Sequence, residues 1–234
     1  MNDKLILCKD VALSEDEAFL CTGIDFSISN GDYMCVVTPD NRIKVAFSQT
    51  LMGFRKHSAG DIIYENGFTY SDIGYLPRIS ECVGASLVRD MVLSGRLKRG
   101  FGIFFGKEDK NAAMEAMKLL GVDDCAKRRF GELSGGQKQK VLLARAICAT
   151  KKMLILESPC IGLDILAREE LYANLSRLNR EYGTTVITVS NNPELVTCYA
   201  KTILHISDSQ LFFGSREEYL RSVPGQMFLY GRVM

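Results

Sequence analysis

The sequence predicts an α/β domain in which short apolar strands alternate with helices, joined to a block of helical texture. Three observations carry this. Residues 33–37, 153–156 and 185–189 are unbroken apolar or β-branched runs, short enough for strands buried on both faces. The first two are followed, after a loop, by stretches with helical spacing, and strand–loop–helix units around buried strands imply a parallel core. From about residue 77 to residue 150 the texture is helical.

In chain order, Leu5-Ile6-Leu7-Cys8 reads as a short strand. Ile24, Phe26 and Ile28 alternate with polar residues, as a half-buried strand does. Asn30-Gly31-Asp32 turns the chain into the buried run 33–37. Residues 38–44 read as a loop and 45–52 as a short helix stopped by Gly53. Ile62-Ile63-Tyr64 and Ile73-Gly74-Tyr75 are strand-like pieces between polar turns. Residues 87–93 and 112–120 have helical spacing, and the pairs Leu142/Leu143 and Ala146/Ile147 lie four apart on one helical face. Leu171, Leu175, Leu178 and Tyr182 stripe a long helix. Residues 201–206 and 210–213 suggest a final pair of strands, and 216–221 a closing helix.

The totals narrow the function classes. A chain of 234 residues can bury a full core as one domain, or one domain plus an insert. The net charge of +1 gives no electrostatic case for a nucleic-acid partner. Eight cysteines occur without a CxxC pair, and the only histidines, His57 and His205, are far apart, so no metal site of usual spacing is readable. Scattered cysteines of this kind read as buried thiols of a cytosolic protein rather than a disulfide frame. No apolar run reaches the roughly 18 residues that span a bilayer, and no signal peptide opens the chain, so a membrane role is expected to be peripheral.

The stretch that organises the chain is Leu133-Ser134-Gly135-Gly136-Gln137, running into the helical segment that follows. Its glycines fall at a helix N-terminus, where free N–H groups and the positive end of the dipole favour an anion. The string resembles the signature motif of ATP-binding cassette (ABC) ATPases, and the order of elements is similar to that family over about residues 4–221. Residues 88–96, 107–110 and 178–183 look most like the ATP-binding subunits of zinc- and manganese-type metal importers. The resemblance implies a P-loop NTPase-like ABC ATPase core with an antiparallel β part and a helical subdomain. It implies one ABC ATPase-like domain over residues 1–234, with 1–77 and 151–234 forming the α/β core and 78–150 the helical subdomain. It further implies ATP and Mg²⁺ as cofactors. The implied partners are a transmembrane permease subunit and a second ABC ATPase, in a homo- or heterodimer at the inner face of the cell membrane. In such dimers the signature caps the γ-phosphate held by the other subunit.

The phosphate loop itself departs from the pattern. The slot of G-x-x-x-x-G-K-[ST] reads Thr38-Pro39-Asp40-Asn41-Arg42-Ile43-Lys44-Val45, and only the lysine survives. Ile43 puts a β-branched side chain where backbone N–H groups should approach phosphate, and Val45 has no hydroxyl for Mg²⁺. Lys44 alone reads as an ordinary, partly exposed lysine or as a weak remnant of a phosphate grip. Asp40 or Asn41 is expected to cap the following helix and take the anion's place. The other positions that the resemblance would assign to the chain's own nucleotide are altered too. Glu157 and Ser158 stand for the Asp-Glu pair, and a hydroxyl cannot replace a general base near neutral pH. Asn191 stands for the switch histidine and Arg78 for the metal-loop glutamine. No aromatic occurs at residues 14–16, where adenine would stack. By contrast, Ser134, Gly135, Gly136 and Gln137 are intact, and Asp164 in Gly162-Leu163-Asp164 resembles the D-loop, which also reaches across the dimer.

Three functional readings follow. In the first, the chain's own site is degenerate and its signature completes a partner's ATP site. In the second, the chain is a non-catalytic scaffold or regulator of a transporter, with Ser134-Gly135-Gly136 and Asp164 serving only as helix caps. The third is an ATPase using Glu157 and Lys44 as unorthodox ligands. Residues 100–106 form an apolar loop flanked by basic residues, either folded onto the helical insert or touching a membrane subunit or headgroups.

Overall fold

The computed structural model describes residues 3–16, 18–78, 85–97 and 105–231. A six-stranded sheet has the order β5-β6-β7-β3-β8-β9. Its strands are β3 (Tyr33–Val37), β5 (Ile73–Leu76), β6 (Met153–Glu157), β7 (Thr185–Ser190), β8 (Thr202–Ile206) and β9 (Gln210–Ser215). The first five are parallel, and β9 returns antiparallel along β8. A separate antiparallel sheet of β1 (Lys4–Glu15), β2 (Ala18–Ser29) and β4 (Ala59–Tyr64) has the order β2-β1-β4.

Strand β3 shows why the unbroken apolar runs are strands. All five of its residues are buried, and alternate side chains enter two different cores. Met34 and Val36 join Ile43, Ala46, Phe47 and Leu51 of α1 (Asn41–Leu51) between the two sheets. Tyr33, Cys35 and Val37 face the other core. That core is built from α2 (Val88–Leu93), α3 (Lys107–Leu119), α4 (Gly135–Ala149) and α5 (Ile165–Tyr182).

The expected elements are present, with differences at their ends. The first strand extends to Glu15, because bulges and a left-handed Asp10 break its alternation without ending it. Residues 41–44 are not loop: α1 starts at Asn41, because Asp40 caps it. On α5, Leu171, Leu175 and Leu178 are buried, whereas Tyr182 at the helix end is exposed. After α6 (Arg216–Arg221) the chain continues into α7 (Val223–Tyr230), entered through a Ser222 cap with Pro at its first turn. Of the apolar stretch 100–106, residues 100–104 lie outside the described residues. No described helix is long and apolar enough to cross a membrane.

Candidate functional site

The C-terminal ends of parallel strands are where an open α/β sheet gathers its polar groups. Here β3 leads into Thr38–Asp40 and α1, β5 into Arg78, β6 ends at Glu157, and β7 runs into Asn191. The register sets these ends side by side: Leu76 pairs with Leu156, Glu157 with Val189, and Val37 with Ser190.

Lys44 stands at the centre of this group and is only 3% exposed, so it is not the partly exposed surface lysine expected from sequence. Its ammonium reaches Asn41 Oδ1 and Asn191 Oδ1, both at 3.4 Å, which are long hydrogen bonds. Burial, and after it the Arg78 guanidinium, lower its pKa from the usual lysine value, against the opposing pull of Glu157 and Asp40. The strand ends thus bring Lys44, Arg78, Glu157 and Asn191 together.

Each oxygen of the Glu157 carboxylate accepts one hydrogen bond within the chain. Tyr75 donates its hydroxyl to Oε1, and the Arg78 backbone N–H donates to Oε2 at 3.2 Å. Burial and this carboxylate hold the Tyr75 phenol well above its ordinary pKa. Tyr75 is a residue of this group that the motif reading did not include, because its contact with Glu157 is made between strands and no sequence spacing marks it. Ser158 follows in a left-handed conformation (φ 45°), donating its N–H to Val189 O at 2.9 Å. Thr38 is buried, and among the described residues its hydroxyl has no hydrogen-bond partner.

Asp40 occupies the N-terminus of α1 with its own negative charge. Its Oδ1 accepts from the Arg42 N–H at 2.7 Å and its Oδ2 pairs with the Arg42 guanidinium at 2.8 Å. The Arg42 side chain is the first cause of a lowered Asp40 pKa. Asp40→Ala is expected to cost about 1 kcal/mol, the value of a lost cap, and to lower Tm measurably, whereas Asp40→Asn keeps most of the cap. A folded pKa below the unfolded one means that this stability is present above the unfolded carboxyl value of about 3.9. It is lost as pH falls through the depressed native value. A Tm unchanged in Asp40→Ala between pH 5 and 7 would reject the cap's role.

The hairpin of β1 and β2 alters one expectation. No aromatic lies at residues 14–16, yet Phe19 pairs directly with Ser14 across the hairpin and is 65% exposed. Paired residues share a face of the sheet. Glu15 is near enough to act on the charge of Arg42, which puts this hairpin end beside the start of α1. Periodicity could not reveal Phe19, because its neighbourhood depends on cross-strand register.

The second group of predicted residues is built on helix ends. Ser134 is the N-cap of α4, accepting from the Gln137 N–H at 3.3 Å while Gln137 Oε1 accepts from the Ser134 N–H at 3.1 Å. Asp164 caps α5, accepting from the Ala167 N–H at 2.8 Å. The two meet through Leu163, whose Cδ2 would lie 3.8 Å from a Cβ placed on Gly136. At Gly135 such a Cβ would meet nothing, and neither glycine has a positive φ. In a helix Gly costs up to about 1 kcal/mol relative to Ala. Nothing among the described residues therefore requires glycine at 135 or 136. Beside this surface Ile161, Ile165 and Leu166 are exposed, the last to 77%.

The protein family described as ABC transporter matches residues 23–161. The zinc uptake system ATP-binding protein ZurA of Listeria innocua is 29% identical over 227 residues, covering 93% of this chain and 88% of its own length. The molybdate import ATP-binding protein MolC of Haemophilus influenzae is 30% identical over 207 residues, covering 88% and 80%. An ABC transporter solved in an inward-facing conformation superposes with a TM-score of 0.85 at 27% identity, covering 97% of this chain and 89% of that one. A dimeric bacterial ABC transporter cassette shares the fold, with a TM-score of 0.78 at 20% identity over 91% of this chain and 99% of the other.

Proposed function

The chain belongs to the ABC transporter ATPase family, and from that premise we propose that it is a nucleotide-binding subunit of a metal-ion importer that acts on a partner's ATP rather than its own. The permease it would serve is transmembrane, and the chain itself would sit at the membrane's inner face. The observation that carries the reading is the pair Gly135-Gly136. Both take conformations open to any residue, both have room for a side chain, and both weaken a helix start. Glycine there is accounted for by close approach of something from outside, since a missing Cβ lets backbone N–H groups reach a ligand. A γ-phosphate held by a second ATPase subunit fits that chemistry: an anion at a helix N-terminus, capped by Ser134. Exposed Ile161, Ile165 and Leu166 flank this end with apolar surface suited to a subunit contact. The name of the zinc relative supports metal-ion import as the process served, and that of the molybdate relative supports uptake of a metal as its oxyanion.

The chain's own site fits Mg·ATP poorly. Ile43 is buried where a phosphate would need bare backbone, Val45 offers no oxygen, and both oxygens of Glu157 are engaged. Asp40 puts a carboxylate at the helix N-terminus that would have to receive an anion, and like charges there repel. No step is therefore assigned to this site. In the partner's site the role of Ser134, Gly136 and Gln137 would be electrostatic stabilisation of the transferring phosphoryl group, with Asp164 positioning the partner's loop.

Calorimetric titration of the isolated chain with ATP·Mg²⁺ tests the first half of the proposal. Affinity weaker than about millimolar is expected, the loss of several charge-assisted bonds at about 1.5–3 kcal/mol each accounting for it. Micromolar binding that disappears in Lys44→Ala would overturn it.

A further inference from the structure

A second polar cleft lies at the opposite end of the sheet from Lys44, and we propose that it binds a small phosphate-bearing anion. Tyr33 begins β3 and Lys201 immediately precedes β8, so the cleft sits at the N-terminal ends of these strands. Lys44 lies beyond the other end of β3, and five residues of strand separate the two ends by about 16 Å. The cleft has a volume of about 300 Å³. At roughly 30 Å³ per water, that is space for a pyrophosphate or a small phosphate monoester.

Its charge is what points to an anion. Arg180, Lys201 and Arg216 line it, against one carboxylate, Glu217. Two of the cationic heads are held at its wall by neutral acceptors. Lys201 Nζ donates to Asn179 Oδ1 at 3.2 Å, and Arg216 Nη1 donates to Cys198 O at 3.2 Å. Asn179 is itself immobilised, its amide nitrogen donating to Gly31 O and Thr184 O, both at 2.9 Å. Among the described residues none of the three cations is in an ion pair within 4 Å. In a chain whose net charge is only +1, a local excess of two positive charges around one concavity is a focused field. Fixed donors on the wall lower the ordering cost of charge-assisted bonds to phosphate oxygens.

The test is titration of the full chain with inorganic pyrophosphate, followed by calorimetry. Binding is expected, weakened at least about tenfold in Lys201→Glu/Arg216→Glu and unchanged in Lys44→Ala. Lys201→Gln/Arg216→Gln carries the same expectation if charge reversal prevents folding. Absence of heat at millimolar pyrophosphate, together with no flotation on phosphatidylcholine vesicles containing phosphatidic acid, overturns the proposal. So does affinity that survives in both double variants, or that vanishes in Lys44→Ala. Flotation on those vesicles without pyrophosphate binding, lost in the double variants, upholds the phosphate site and assigns its source to a lipid headgroup. Because Lys44→Ala reports on the other end of the sheet, failure here leaves the reading of Ser134 and Gly135-Gly136 standing, and the reverse.

Discussion

Ser134→Arg in this chain is expected to lower the ATPase rate of the mixed assembly about 10²–10³-fold, although the hydrolysed nucleotide is held by the other subunit. The assembly is this chain purified with a second ABC ATPase that has an intact phosphate loop. The magnitude is that of removing preorganised donors aimed at developing negative charge. Ser134 is also the α4 cap, so the arginine variant loses cap stability of about 1 kcal/mol as well as blocking the approach. Ser134→Asp separates the two effects. Aspartate caps a helix as well as serine does, and the fold is kept, but a carboxylate against a triphosphate is repulsive. Both variants should therefore silence the assembly, while Lys44→Ala in this chain changes its rate by no more than about twofold. Activity retained in Ser134→Arg and Ser134→Asp would reject the trans-acting role and leave the non-catalytic scaffold.

How much of this could be read without coordinates depended on how local the cause was. Residues 33–37 are a strand because five consecutive side chains are buried, a property that the run itself displays. The start of α4 was legible because Ser134 and Gln137 cap each other within three residues. The surroundings of Lys44 were not, since Arg78, Glu157 and Asn191 come to it from the ends of three other strands. Phe19 escaped for a similar reason: its place opposite Ser14 is set by a register that slips at bulges along β1. The engagement of Glu157 by Tyr75 likewise joins residues 82 positions apart. Motif spacing picked out these positions, and the sheet topology decided their exposure and partners.

Gly74→Ala is expected to destabilise the fold by about 1–3 kcal/mol, since a Cβ there has nowhere to go. It would lie 2.3 Å from Ala146 O and 2.0 Å from Thr150 Oγ1, the latter fixed by donating to Ala146 O at 2.8 Å. Gly95 meets the same helix from another side, its Cβ falling 2.4 Å from Arg145 O. These close approaches set the position of the C-terminal half of α4, and so the direction in which its N-terminus presents Ser134. At about 2–4 °C of Tm per kcal/mol for a chain of this size, differential scanning calorimetry resolves the loss. Gly135→Ala supplies the contrast. A Cβ there meets nothing and favours the helix, so Tm should hold or rise, yet the activity of the mixed assembly should fall. Glycines that the fold requires and glycines that an incoming ligand requires then leave opposite signatures. Equal losses of Tm in Gly74→Ala and Gly135→Ala would show that the signature glycines serve the chain's own packing after all.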